Sequence, residues 1–397
     1  MRPVLVVLFL LRTALSAQTP RAVSRAEAVA LAVVHGPRAA TARADSAAAY
    51  GDLAAARAFA NPSFSATYTK SVPRYHYIFD IPIDWPWLRA PRVGAAGAGA
   101  EAARARFAFE VAAVRFDADT AYTVALAAQA HARLSRRTAG DADSLLRVAR
   151  LRRDAGDASD MDTRLAEINA GELANSAAED SLAAVAALVN LQLVMGFAGD
   201  STVVLSDSLQ FPDTVGDQIP SAPLSVLEAQ AELTAAERSL TLAKSVNLLS
   251  PSFQVGVERG DPTGAEPGAL PTFGIALPLP LFNWNGGSIT RARAERDAAQ
   301  IRLEATRRAT TADRARAVGE RSVALTRAHR DAGLVASADS VAAMFLKAYG
   351  EGAVSLPEVL EAQRNAREAL GRYVDDLALA NTAVGLVKLL DATREHP

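Results

Sequence analysis

The feature that most constrains this chain is an internal duplication, because a repeated sequence folds into a repeated unit and any architecture has to accommodate two of them. Ile81-Pro82-Ile83 matches Leu277-Pro278-Leu279 at a separation of 196 residues, and the same offset pairs Val93 with Ile289, Ala96 with Ala292 and Gly156 with Gly352. Further upstream, Pro62-Ser63-Phe64 matches Pro251-Ser252-Phe253 at 189, so the second copy carries about seven extra residues between the matched points. Each copy reads in one order: a helix, a break, two strands, then a very long helix that turns at a glycine and returns as another. The expected division is a first repeat over 18–199, a linker over 200–221 rich in Asp, Ser, Thr and Pro with one short strand near Thr202 to Leu205, and a second repeat over 222–397.

The strands declare themselves by a period of two. From Ser63 to Thr69 every odd position is Ser or Thr and every even one is Phe, Ala or Tyr. The predicted strands cover about 62–70, 74–84, 251–259 and 271–282, each with one apolar and one mostly polar face. Strands of about 9 to 11 residues suit a bilayer crossed at a tilt. Tyr68, Tyr75, Tyr77, Trp85, Trp87 and Trp284 cluster near strand ends, where amphipathic rings favour a membrane interface. A half-buried soluble sandwich alternates as cleanly, but four strands cannot close such a core. In a membrane they cannot close a barrel either. Several chains must therefore share one, and three copies give twelve strands around a lumen. Ser63, Ser65, Thr67, Thr69, His76, Asp80, Gln254 and Glu258 are then expected to line water, with the aromatic and aliphatic face turned to lipid.

Between the strands lie stretches without proline, from Arg92 to Phe211 and from Leu281 to Leu356. A continuous helix of about 60 residues reaches roughly 90 Å, which demands a partner along its whole length. The abundant alanine lets such helices approach closely, and aromatics at 6% leave little for a thick globular core. The expected fold is mainly α with a small β part: long antiparallel helices continuing a membrane barrel.

Met1-Arg2, the apolar run Val4 to Leu11 and the small residues Leu15-Ser16-Ala17 read as a signal peptide over 1–17. No other stretch reads as a membrane-spanning helix. The chain has no cysteine, which excludes thiolate metal sites and cysteine nucleophiles. With 42 basic and 44 acidic residues interspersed, nothing calls for nucleic acid. The five histidines are scattered without metal-ligand spacing, Gly94, Gly97 and Gly99 lack the Lys-Ser/Thr of a phosphate loop, and no serine sits in a nucleophile elbow. No catalytic residue, cofactor or metal is expected.

The segment from Leu279 through Phe282-Asn283-Trp284-Asn285-Gly286-Gly287-Ser288-Ile289 resembles the strand-to-helix signature of the TolC-like outer-membrane efflux proteins. Ala348 to Gly352, continuing through Glu358 to Arg364, is similar to that family's second helix-turn-helix tip, and Asn61-Pro62-Ser63 to the start of its first strand. The resemblance implies a homotrimer in the outer membrane that extends into the periplasm, meets a periplasmic adaptor protein and an inner-membrane pump, and serves as a passive exit duct, for metal cations or drugs. A periplasmic adaptor or a coiled-coil surface protein is the competing reading. By the same resemblance the tip and gate fall on Arg152, Asp154, Gly156, Asp157, Ser159, Asp160, Tyr349, Glu351, Gly352, Ser355 and Leu356. Repeated around an axis, the acids Asp154, Asp157, Asp160, Asp162 and Glu351 are expected to form cation-favouring rings, with Arg152 and Arg153 as ion-pair latches. The chain lacks the lipoprotein cysteine of many relatives, and its ending at Pro397 suggests a small C-terminal contribution to a mid-tunnel collar.

Overall fold

The computed structural model describes residues 21–199, 202–213, 222–260 and 268–393; the expected signal peptide and the far half of the linker lie outside them. In chain order the elements are β1 (Arg21–Val23), α1 (Arg25–His35), α2 (Pro37–Arg57), β2 (Ser63–Tyr68), β3 (Tyr75–Pro82), α3 (Pro86–Asp154), α4 (Asp160–Val194), β4 (Val203–Leu205), α5 (Leu224–Ser245), β5 (Ser252–Arg259), β6 (Leu270–Ala276), α6 (Gly286–Gly350) and α7 (Leu356–Leu390). The order helix, hairpin, long helix, returning helix occurs twice. In the first copy the opening helix is broken in two at Gly36, where Pro37 takes the first position of α2 and cannot donate into the preceding turn.

The long helices are 69 residues (α3) and 65 residues (α6), each about 100 Å at 1.5 Å per residue. Helix α3 starts before the proline-free stretch: Pro86 sits in its first turn and Pro91 is tolerated near that end. Alanine is the commonest buried residue along both, so the helices pack side by side as thin rods with little side-chain bulk between them.

Three strips stack along the long axis. At one end is a four-stranded antiparallel sheet in the order β2-β3-β5-β6. Next, α2, α3, α5 and α6 lie side by side; further away, α4, α3, α7 and α6 do the same. In every strip the two repeats are neighbours, and α3 and α6 run through both helical layers.

Strand β6 stops at Ala276 and does not continue to 282 as its apolar pattern suggested. Its partner β5 begins at Ser252, opposite Ala276, and Pro278 and Pro280 have no N–H to offer a ladder. A two-residue-period pattern alone cannot show where a partner ends.

Around the middle of the molecule runs a collar. β1 pairs in parallel with β4, a short strand pair of which the sequence showed only the β4 half, since a three-residue β1 next to a helix start leaves no period to read. Tyr122 of α3 is fully buried beneath it and its hydroxyl donates to the Val23 carbonyl at 2.9 Å. The described part of the linker, 206–213, then crosses to α6 and α7, where Phe211 stacks on His329 at 4.4 Å and the Asn381 amide donates to the Gln210 carbonyl at 2.9 Å.

Helix α4 qualifies, by length and composition, as a membrane-crossing helix, contrary to the sequence expectation that no stretch beyond the leader would. Its apolar side chains Met161, Ile168, Leu182 and Val185 are exposed on a helix that forms the free edge of its strip.

Candidate channel wall and tip

The sheet is sorted into two faces by register. Ser63 lies opposite Asp80, which lies opposite Gln254; Thr67 faces His76, which faces Glu258; Ser65 faces Ile78 and then Gly256. The expected wall residues Ser63, Ser65, Thr67, His76, Asp80, Gln254 and Glu258 thus occupy one face, and Thr69 joins them through its hydroxyl, 3.3 Å from His76 Nε2. They are bonded to one another: His76 Nδ1 sits 3.2 Å from Glu258, and the Ser252 hydroxyl donates to Asp80 at 2.8 Å. The opposite face carries Phe64, Tyr68, Tyr75, Tyr77, Phe79, Ile81, Phe253, Val255, Val257, Phe273 and Ile275, all large and all exposed, Phe273 at 78%. In water this is inside out. A sheet that half-covers its polar face and presents its apolar face is built for lipid outside and water inside.

Below the strands two tryptophans of the first copy, Trp85 and Trp87, stack at 4.7 Å and donate their indole N–H groups to the carbonyls of Pro251 and Leu249, pinning one repeat to the other at the sheet's base. Asp84, almost wholly buried, pairs with Arg89 and Arg92, whose remaining donors reach the carbonyls of Arg57 and Ala56 at the end of α2. In the second copy amides do this work: Asn247 donates to the Trp284 carbonyl and Asn285 to that of Ala243.

At the far end the two helix-turn-helix tips meet. Gly156 (φ 84°) and Gly352 (φ 78°) take the left-handed conformation that ends α3 and α6. Ser159 and Ser355 then start the returning helices with capping boxes, Asp162 and Glu358 reaching back to the serine N–H groups. Leu356 and Tyr349 are buried in a cluster with Leu145, Ala149, Ala166 and Val359 that joins both tips. Arg152 crosses it: Nη1 donates to the Tyr349 carbonyl at 2.9 Å, Nη2 to the Asp157 carbonyl at 3.2 Å, and the guanidinium lies 4.7 Å from the Tyr349 ring. Burial pushes the Tyr349 hydroxyl above the usual phenol range, against the pull of Arg152.

The expectation that Arg152 is an ion-pair latch is therefore corrected: it holds carbonyls and a ring. Arg153 does bind acids, Asp154 at 2.6 Å and Asp160 at 4.0 Å, and Glu351 lies 3.9 Å from Lys347. Asp162 is committed to its cap, while Asp157 and Asp160 stay exposed at the rim.

Sequence reasoning missed several contacts that tie helix to helix in the middle of the molecule: His131 to Asp375 at 2.8 Å, and the ion pairs of Arg327 with Asp376 at 2.7 Å and of Arg314 with Asp391 at 2.6 Å. Partners 49 to 244 residues apart leave no local signal. Among the described residues no group of three or more potential ligands is placed to hold a metal.

An open four-stranded sheet with a lipid-type outer face, continued by strips of long helices, is the fold of a TolC-like outer-membrane channel. The comparisons agree. Residues 221–391 match the outer membrane efflux protein family model. The outer membrane protein VceC of Vibrio cholerae is similar at a TM-score of 0.74 and 16% identity, covering 92% of this chain and 96% of its own. The CmeC outer membrane channel of Campylobacter jejuni gives 0.78 and 16%, over 92% of this chain and 85% of its own. The Neisseria gonorrhoeae MtrE outer membrane channel gives 0.71 and 15%, over 92% and 88%. No curated sequence matches the chain. Residues 221–391 thus carry an outer membrane efflux protein domain, and the chain as a whole has the fold of these outer membrane channels.

Proposed function

We propose that three copies of this chain assemble into one exit duct, twelve strands wide in the membrane and continued by a helical tunnel, through which solutes handed over by an inner-membrane pump and a periplasmic adaptor leave the cell. The observation that carries this reading is that, among the described residues, all three strips end in open edges at equivalent places. The sheet ends at β2 and β6, the next layer at α2 and α6, the last at α4 and α6. An unpaired strand edge facing lipid leaves several kcal/mol per backbone group uncompensated, and a second copy offers the complementary edge at every level simultaneously. Two repeats, 18–199 and 222–397, each supplying one hairpin and one helix pair, make such a strip. The tips at Gly156 and Gly352, with the acids beside them, are the ends that meet an adaptor. Metal cations and drugs both remain within reach of a polar wall of this kind. A periplasmic adaptor or a coiled-coil surface protein has no use for a sheet with its aromatic face outward.

The absence of cysteine makes the test clean. Paired cysteines, one on β2 and one on β6, should oxidise into covalent trimers in outer-membrane fractions; a ladder that stops at monomer for every pair tried along the two strands would remove the reading.

A further inference from the structure

The end of the sheet away from the helices carries charge on its apolar face that neither the wall nor the tip accounts for. There Tyr68 and Tyr75 face each other across β2 and β3 with ring centroids 5.3 Å apart, both exposed. Tyr75 lies opposite Arg259 of β5, and Arg259 continues the alternation that puts Phe253, Val255 and Val257 on this face. On the other flank the β2–β3 ladder still holds at Thr69, whose N–H donates to the Arg74 carbonyl at 2.8 Å, so the alternation of Phe64, Ala66 and Tyr68 carries on to Lys70. Lys70 and Arg259 are exposed, and among the described residues neither is paired with an acid. The acids of the described strands, Asp80 and Glu258, are bonded to Ser252 and His76 on the water face, and Arg74 alternates to that side as well. The turn beside the rings is close-fitting: at Gly260, φ 101°, a Cβ would lie 3.0 Å from the Tyr75 ring.

The base of the same sheet is arranged differently, since Asp84 there neutralises Arg89 and Arg92. An unpaired cation on a lipid-facing surface is costly in mid-bilayer and costs little only where its long side chain reaches the headgroups. Tyrosine rings mark that same level. Strand spacing sets Lys70 and Arg259 on the order of 10 Å apart, a gap that two extended side chains can close around one anion. A guanidinium matches two oxygens of a phosphate with parallel hydrogen bonds. We propose that Lys70 and Arg259, flanking the Tyr68–Tyr75 ring pair, bind the phosphate of an anionic lipid headgroup at the outer rim of the sheet. The acyl chains of that lipid run down the same face over Phe79 and Val255, which are exposed; a free phosphate gains nothing from them. The site rests on the channel reading above for its membrane surroundings.

Native mass spectrometry of the purified full chain in detergent, titrated with phosphatidylglycerol, tests the site. Lys70→Gln and Arg259→Gln should each retain the lipid about five-fold more weakly than the wild type. Arg164→Gln, which removes an exposed cation of α4 away from the sheet, should retain it as the wild type does. Phosphatidylcholine, whose choline offsets its phosphate, should not distinguish these proteins, and millimolar inorganic phosphate should leave the phosphatidylglycerol in place. Equal retention by the wild type and both rim variants overturns the site. So does an equal loss in Arg164→Gln, which would reduce the attraction to overall charge, and displacement by inorganic phosphate overturns the lipid as its occupant. The substituted side chains are all exposed, so folding is not at stake, and the β2–β6 cysteine trimers report on the channel separately. Trimers without lipid discrimination sink the site and leave the channel standing; a chain that forms no trimers removes the channel reading and the membrane face on which the site depends.

Discussion

At the scale of single residues, the tip shows how one side chain can join two distant parts of the sequence. Arg152 bridges the tips of the two repeats through two carbonyls and one ring. Arg152→Ala should cost about 1–2 kcal/mol at this junction, from one cation–π contact and the buried carbonyl bonds left unmet, and should raise basal single-channel conductance without changing trimer yield. The caps behave differently. The Ser355 N–H and hydroxyl hold the Glu358 carboxyl below its usual range, so the cap's contribution is present above that range and lost as pH falls through the lowered value. Amide exchange at 355–359 should quicken on acidification in the wild type and lose that acid dependence in Glu358→Gln. The serine-acid spacing of both capping boxes is legible in the sequence. The use of Arg152 is not, because its ring and carbonyl partner, Tyr349, is 197 residues away.

At the scale of elements, alternation fixed the faces of the strands and the pairing fixed their lengths. Phe64, Phe79, Val255 and Phe273 form one cross-strand row on the apolar face. An arginine there would sit in lipid: Phe79→Arg should destabilise by about 2–4 kcal/mol if the row lies near the bilayer middle, seen as loss of folded protein in outer-membrane fractions, whereas Thr67→Arg on the opposite face should assemble. Equal tolerance of both would mean the faces have been assigned the wrong way round. The helices read less evenly. Proline-free, alanine-rich stretches announced α3 and α6, but the kink at Gly36 and the three-residue β1 are settled by what packs against them. Helix α4 is a warning about hydropathy alone: it is apolar enough to cross a membrane, yet here it is one staff of a strip and its exposed apolar side is the face a neighbouring copy would cover.

At the scale of the whole molecule, small features multiply by the number of copies. Asp157 and Asp160 are solvated rim carboxylates in one chain, and as such would do little. Three chains around an axis would set six of them around one opening, enough to favour cations over anions there. Asp157→Asn with Asp160→Asn should lower the cation-to-anion permeability ratio of single channels. An unchanged ratio would leave these acids as mere helix-end groups.

The amino-acid sequence alone determined the duplication, the four amphipathic strands with their polar and apolar faces, the two very long helices and the glycine turns that end them. All of these are local or periodic properties, and physical chemistry acts on them before the chain has any tertiary shape. Only the tertiary structure decided where β6 ends, that the linker forms a collar over Tyr122 and His329, and that Arg152 holds carbonyls in place of acids. Those outcomes depend on which groups meet across tens or hundreds of residues, and the competition among partners is resolved only when the helices lie side by side.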